Sequence, residues 1–322
     1  MKPVYICIVA SLAVLQLANT AIAAFTTHAK ATASQTVRDF KVPTPGSPLA
    51  SNEVDEAIGE SGERVEVLAG PDPLTQGDAS AFAEGYATAE LGHLGVSVVG
   101  AVLGAAKNRP GTTSLGGRAT SSAVASAEWL DTITIFVPDH IAVRAVFNLD
   151  LEGNVSASAS GDAASSVDVG VSNPPESRLI LPGETGELGF FLTVGSAFEN
   201  PSNSGVVEVP GGFRVELIPP QGPFTIGLRL FASGSAFSNL SLDQQVWDSD
   251  VASYSGELSR SLTWGGLEGV FDFFTGEKLD NWTITSESGF DYSQPFGVPE
   301  PSSIALVIAA SCFWSRRARA RV

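Results

Sequence analysis

A strict alternation of small or apolar residues with other residues runs through much of the chain beyond residue 76. In residues 79–91 every odd position is Ala, Gly or Leu, and in 141–151 every odd position is Ile, Val, Ala, Phe or Leu. The same period of two returns, with few breaks, in 155–171, 224–230 and 258–264. Successive side chains of a strand point to opposite faces, so this pattern is typical of antiparallel strands with one buried face.

An α-helix is the competing interpretation of the alanine-rich runs, because alanine is a strong helix former. The apolar spacing is two rather than three or four, however, and glycine and β-branched residues interrupt the runs. The 33 Gly and 19 Pro residues also argue against helical bundles and coiled coils. About ten to twelve strands joined by turns predict an all-β fold, an antiparallel β-sandwich of jelly-roll type. The apolar run at 94–106 fits either a buried strand pair or a short helix.

The β-sandwich domain is predicted to span residues 77–296, and residues 24–76 are predicted to be a flexible linker. The linker prediction follows from few aromatic residues and many Ala, Thr, Pro and Glu residues. Such a segment buries too little apolar area to offset the entropy lost on ordering. Within it, residues 64–68 are compatible with a short strand.

The N-terminal segment has the pattern of a secretory signal peptide. Lys2 provides the positive charge, residues 4–17 are almost entirely apolar, and Ala21 and Ala23 are the small residues that signal peptidase requires. We therefore expect a signal peptide over residues 1–23, removed by signal peptidase between Ala23 and Ala24.

The C-terminal segment contains three elements in a fixed order. A Pro-Glu-Pro motif comes first, an apolar stretch follows at 304–314, and a basic cluster ends the chain. A cluster of this kind stays on the cytoplasmic side while the preceding domain crosses the membrane. The motif consists of Val298, Pro299, Glu300 and Pro301, and the basic cluster of Arg316, Arg317, Arg319 and Arg321.

This order of elements, behind a signal peptide, resembles the PEP-CTERM family of exported bacterial proteins. In that family the motif, a membrane segment and a basic tail form a sorting signal for an exosortase, a membrane protease-transferase. The resemblance implies a sorting signal with a short helix over residues 298–322, an exosortase-like membrane enzyme as partner, and export to the cell surface or extracellular matrix. The apolar stretch is shorter than the about 20 residues that span a bilayer, which favours transient over permanent membrane association.

The resemblance extends into the β domain through three segments. Residues 125–135 read ASAEWLDTITI, residues 223–226 form a Pro-Phe strand, and residues 288–292 read SGFDY before the sorting motif. Together these features cover most of residues 79–296. They imply an exported β domain of unassigned biochemical role and transfer no catalytic residue.

The composition offers little support for catalysis. The 35 acidic and 18 basic residues give a net charge of −17, which argues against nucleic acid as a partner. Cys7 and Cys312 lie in the two terminal segments, so the domain between them has no thiol or disulfide. No Gly-x-Ser-x-Gly motif is present, and the three histidines lie in weak contexts. The sequence therefore predicts that the protein is not an enzyme.

Two carboxylates could still form a glycosidase pair or contribute to a calcium site. Asp150 and Glu152 share one face of a predicted strand, but that face is also where solvated carboxylates are expected. Calcium could bind there, with Asn148, or at Asp248 and Asp250. We expect no cofactor and keep calcium as the open alternative.

Aromatic residues leave a sugar-binding hypothesis open. Trp129 and Trp264 are in phase with the small or apolar faces of their strands and are predicted to be core, whereas Trp247 is flanked by acidic residues and is the best exposed candidate. The leading hypothesis is an exported surface or matrix protein of unassigned role. The alternative is a secreted carbohydrate-binding or glycan-cleaving domain, with Trp247, Asp150 and Glu152 facing an extracellular polysaccharide.

Overall fold

The computed structural model of the protein is all-β, with two antiparallel sheets packed face to face. It describes residues 25–40, 48–60, 62–76, 79–105, 116–138, 142–161, 163–181, 191–199, 205–208, 211–219, 222–239 and 249–297. Within these residues no helix has the length and apolar character needed to cross a membrane. The predicted signal peptide and sorting signal lie outside them.

The first sheet, called sheet A, contains seven of the strands in the described residues. In chain order they are β1 (Thr26–Phe40), β2 (Leu49–Gly59), β7 (Gly116–Phe136), β10 (Ala164–Ser172), β11 (Phe191–Glu199), β14 (Phe224–Asn239) and β17 (Thr283–Ser286). Their order across the sheet is β11-β10-β14-β7-β1-β2, and the short β17 also pairs with β7.

The second sheet, called sheet B, contains the other ten strands of the described residues. They are β3 (Val65–Ala69), β4 (Leu74–Gln76), β5 (Ala79–Glu90), β6 (His93–Ala105), β8 (Val143–Leu151), β9 (Asn154–Ser160), β12 (Gly205–Glu208), β13 (Phe213–Leu217), β15 (Ser249–Asp272) and β16 (Lys278–Leu279). The main order is β12-β9-β15-β6-β5-β3, and β8 pairs with the second half of β15.

The antiparallel sandwich predicted from the period-two pattern is confirmed. In β5 the odd positions are buried throughout, and all of the even positions except Thr88 are at least partly exposed. The long run at 155–171 is divided into β9 and β10 by a turn in which Gly161 takes a φ of 67°, a conformation that favours glycine. Residues 94–105 of the ambiguous run belong to a single strand, β6.

The flexible linker predicted over residues 24–76 is wrong, because this part of the chain contains β1 to β4. Strand β1 lies inside sheet A and pairs along its length with β2 on one side and β7 on the other. Its inward residues Ala29, Ala31 and Ala33 are fully buried. The low aromatic content does not prevent burial of β1, because the surface that faces it is also made of small side chains.

Alanine and glycine form the contact of β5 in sheet B with β1 and β7 in sheet A. A Cβ placed on Gly85 would lie 3.3 Å from the carbonyl oxygen of Val124 and 3.4 Å from that of Thr32, both in sheet A. The two sheets therefore approach closely enough for side chains of one to touch the backbone of the other. The fully or almost fully buried alanines at this contact are Ala29, Ala31, Ala33, Ala119, Ala123, Ala125 and Ala127 in sheet A and Ala79, Ala81, Ala83, Ala87 and Ala89 in sheet B.

The ring of Tyr254 is buried between glycines in the middle of the sandwich. Tyr254 is directly opposite Gly100 in the sheet B pairing, and its ring packs against Gly234 of sheet A. Its hydroxyl lies 3.3 Å from Ser121 Oγ, and burial raises its pKa to about 12. Glycine is needed at both positions because a Cβ on either would overlap the tyrosine.

We expect Gly234→Ala to destabilise the fold by about 1–3 kcal/mol, because overpacking a dense core forces neighbours to shift. Urea unfolding followed by tryptophan fluorescence measures this loss. Gly211→Ala is the matched control, since a Cβ there meets no atom within 4 Å. In a Tyr254→Ala background, Gly234→Ala should destabilise the fold less, because the ring that its Cβ would overlap is absent. Equal losses for the Gly234 and Gly211 variants would contradict this account.

Candidate functional site

Most residues that the sequence singles out for sorting or binding lie outside the described residues. These are Ala21, Ala23, Trp247, Val298, Pro299, Glu300, Pro301, Arg316, Arg317, Arg319 and Arg321. The sorting and signal-cleavage interpretations therefore stay predictions.

Asp150 and Glu152 are exposed at the end of β8. Asp150 lies opposite Thr263 of β15. The described residues contain no group of three or more His, Cys, Asp or Glu side chains arranged to hold a metal ion. Asp250, from the second calcium hypothesis, is almost fully buried against Gly161.

Two further carboxylates at the end of β15, Glu268 and Asp272, are close enough in sequence to be considered as a catalytic pair but bind different partners. Glu268 forms an ion pair with Arg214, whose Nε lies 2.9 Å from its carboxylate oxygen. Asp272 Oδ1 accepts hydrogen bonds from the backbone N–H groups of Phe274 at 3.0 Å and Thr275 at 2.7 Å. Each carboxylate thus has a local structural role.

The structure brings the aromatic residues together at one end of the sandwich. Trp129 and Trp264 are each 1% exposed, which confirms their prediction as core residues. Their rings meet edge to face at a centroid distance of 5.9 Å, and Phe147 lies 4.7 Å from Trp264. Tyr292 is also fully buried, 5.2 Å from Trp264, and so cannot stack on a ligand in solvent.

Residues 286–297, here called the C-terminal clasp, close this end. The clasp is held to sheet A by the N–H of Glu287, which donates to the carbonyl of Thr132 at 2.9 Å. It is held to sheet B by the N–H of Phe296, which donates to the carbonyl of Trp264 at 2.7 Å. The indole Nε1 of Trp264 donates in turn to the carbonyl of Tyr292 at 3.0 Å. The clasp therefore connects the two sheets.

A buried carboxylate fixes the clasp. Asp131 of β7 is fully buried, and its Oδ2 accepts hydrogen bonds from the hydroxyls of Ser288 and of Tyr292, the latter at 2.8 Å. Its Oδ1 accepts from the N–H of Thr132 at 2.7 Å. The DTITI and SGFDY segments, which the family resemblance singled out separately, thus meet at one side chain.

Sequence reasoning missed this contact. Asp131 occupies an odd position of β7, in the same inward phase as Trp129 and Ile133, both of which are buried. A lone acidic residue in the buried phase of a strand was the available signal, because such a residue requires hydrogen-bond donors from elsewhere.

Burial controls the ionisation of the Asp131 carboxyl group. Desolvation raises the pKa of Asp131 above its ordinary value, although the hydrogen bonds from Ser288, Tyr292 and Thr132 partly oppose the shift. Burial, together with the nearby carboxylate, also raises the pKa of Tyr292 well above its usual range. Tyr292 therefore stays a protonated donor.

The two ends of the described chain meet beside the clasp. An open cavity of about 400 Å³ is lined there by Gly62, Glu90, Leu91, Phe290, Phe296 and Gly297. Gly62 packs against Phe25, the residue before β1. Gly92 takes a φ of 77° in the β5–β6 turn and packs against Phe290 and Phe296.

No protein-family profile matches the chain, and no curated protein matches it. Among solved structures, one chain of "Structure of infectious bursal disease virus Gt strain" is 8% identical, with 77% of this chain and 81% of that chain covered and a TM-score of 0.09. A similarity of this size supports no statement about fold or function.

We expect Tyr292→Phe to destabilise the protein by about 1–3 kcal/mol, because it removes a donor from a buried acidic group. The free energy of unfolding in urea measures this loss. Tyr254→Phe is the control, since that buried hydroxyl faces only the neutral Ser121 at 3.3 Å. The loss in free energy of unfolding should be smaller for Tyr254→Phe than for Tyr292→Phe. A larger loss for Tyr254→Phe would refute the role assigned to Asp131.

The raised pKa of Asp131 predicts a pH dependence of stability. Below its ordinary value of 3.8 the carboxyl is protonated in both folded and unfolded states. As the pH rises through the higher folded-state pKa, the unfolded state ionises more readily and the contribution of Asp131 to stability falls. The free energy of unfolding of the wild type, relative to Asp131→Asn, should decrease over this range and then level off. A difference that is constant between about pH 3 and pH 8 would exclude the effect.

Proposed function

We propose that the protein is an exported cell-surface or extracellular-matrix protein of the PEP-CTERM type, with no catalytic activity of its own. Signal peptidase removes residues 1–23, and an exosortase-like membrane enzyme recognises Val298, Pro299, Glu300 and Pro301. The apolar stretch presents this motif at the membrane, and the arginine cluster keeps the tail on the cytoplasmic side.

The observation that supports this proposal is that both ends of the described fold lie at one end of the sandwich. Phe25 packs on Gly62, and Gly62 and Gly297 line the same cavity. A domain whose two ends emerge together presents both processing points to one membrane surface.

Both proposed cleavage points also leave the fold intact. Cleavage after Ala23 is two residues before Phe25 and does not touch β1. The motif begins at Val298, directly after the clasp, in which Phe296 donates the last described backbone hydrogen bond. The mature protein would thus keep its complete set of strands and its clasp.

The proposal includes the jelly-roll type of connectivity. Its support is the frequency with which consecutive strands change sheet. Among the described strands, the chain crosses from sheet B to sheet A at β6–β7, β9–β10, β13–β14 and β16–β17, and from sheet A to sheet B at β2–β3, β7–β8, β11–β12 and β14–β15.

Replacing Pro299, Glu300 and Pro301 by Ala should abolish sorting and leave the protein unprocessed in the membrane fraction. Cell fractionation with an antibody against the folded domain measures this. Glu277→Ala removes one negative charge at an exposed turn and is the control. Unchanged localisation of the triple variant would refute the sorting role.

The intact mass of the extracellular form tests both processing events independently. We expect an N-terminus at Ala24 and a C-terminus near Glu300. A mass that includes Arg316 to Arg321 would contradict C-terminal processing, and one that includes Lys2 would contradict signal cleavage.

A further inference from the structure

A groove of about 360 Å³ crosses the outer face of sheet A. Hydroxyl side chains from three adjacent strands line it in register, since Ser34 of β1 is opposite Ser122 of β7, which is opposite Ser235 of β14. Ser235 Oγ lies 3.0 Å from Ser166 Oγ, which continues the row onto β10. Because neighbouring strands lie about 4.8 Å apart, the row of hydroxyls is about 14 Å long.

One edge of the groove is basic, although the protein is strongly acidic. Arg118 lines the groove and is directly opposite Arg38 on the neighbouring strand. The side chain of Arg118 is exposed and forms no ion pair within the described part of the chain, whereas Lys30, Arg144, Arg214 and Arg229 each bind a glutamate.

An exposed aromatic ring completes the groove. Phe237 is 43% exposed and lies opposite Thr120, so its ring stands next to the hydroxyl row and to the arginine edge. A large apolar ring left in solvent among hydroxyl groups is a typical stacking surface for the apolar face of a sugar.

We propose that this groove binds an acidic polysaccharide. The ring of Phe237 contacts the face of one sugar, the hydroxyls of Ser34, Ser122 and Ser235 hydrogen-bond to sugar hydroxyls, and the guanidinium of Arg118 pairs with a carboxylate of the chain. Duplex nucleic acid is an unfavourable occupant, because its charge density of one per about 1.7 Å requires a larger basic surface than this groove offers.

The position of the groove suits a ligand in the extracellular matrix. Phe25 precedes β1 and Arg38 lies near the far end of this strand, and the thirteen residues of extended chain between them correspond to about 40 Å. The groove therefore lies toward the end opposite the clasp, away from the proposed processing points. This site is separate from Asp150 and Glu152, which lie at the end of β8 in sheet B.

The test is isothermal titration calorimetry, which measures the binding of polygalacturonate and of neutral dextran to the purified full-length protein in mild detergent. We expect polygalacturonate to bind more tightly than dextran, and its binding to weaken as salt is added. Arg118→Gln and Phe237→Ala should each raise the Kd for polygalacturonate by about threefold to tenfold. Circular dichroism checks that the variants are folded.

Arg178→Gln is the matched control, because it removes the same charge from an exposed position next to Thr225, at the other end of β14. Its Kd should equal that of the wild type. Absence of binding by the wild type, or equal weakening by Arg118→Gln and Arg178→Gln, would overturn the proposal. Self-association that Arg118→Gln abolishes would assign the groove to a second copy of the chain and would also overturn it. Because binding is measured on purified protein, the result is independent of sorting.

Discussion

The close approach of the two sheets is the constraint on which the rest of the fold depends. On β1, β5 and β7 alanine and glycine occupy the facing positions, and a single Cβ at Gly85 would already touch backbone atoms of the other sheet. The middle of the sandwich therefore gains its stability from many short contacts and dense packing rather than from large buried side chains. Tyr254 fits only because glycine lies both beside it and across from it.

A thin middle displaces the large apolar side chains to one end. Trp129, Trp264 and Phe147 pack together at this end, and the clasp covers them with Tyr292. Asp131 places a carboxyl group inside this apolar end, where it is stable only while hydrogen-bond donors reach it. The same contact that closes the core therefore also fixes the direction in which the chain leaves the domain.

Much of the fold could be predicted from the sequence because packing two sheets requires one small or apolar face on each strand. The phase of that pattern identified Trp129 and Trp264 as core residues. The prediction failed for β1 because low aromatic content was interpreted as a missing core, whereas alanines suffice against a facing sheet that is itself small. The Asp131 contact could not be predicted, since its partners Ser288 and Tyr292 lie 157 and 161 residues away and periodicity carries no information about such distances.

The location of the clasp at the end of the domain has a consequence for the order of folding. A chain synthesised from its N-terminus makes β1 first, but β1 lacks one of its two neighbours until β7 follows, and Trp129 lacks its cover until the clasp is made. Pairings between distant segments form late and slowly. The domain therefore completes its core only when nearly all of its residues are available.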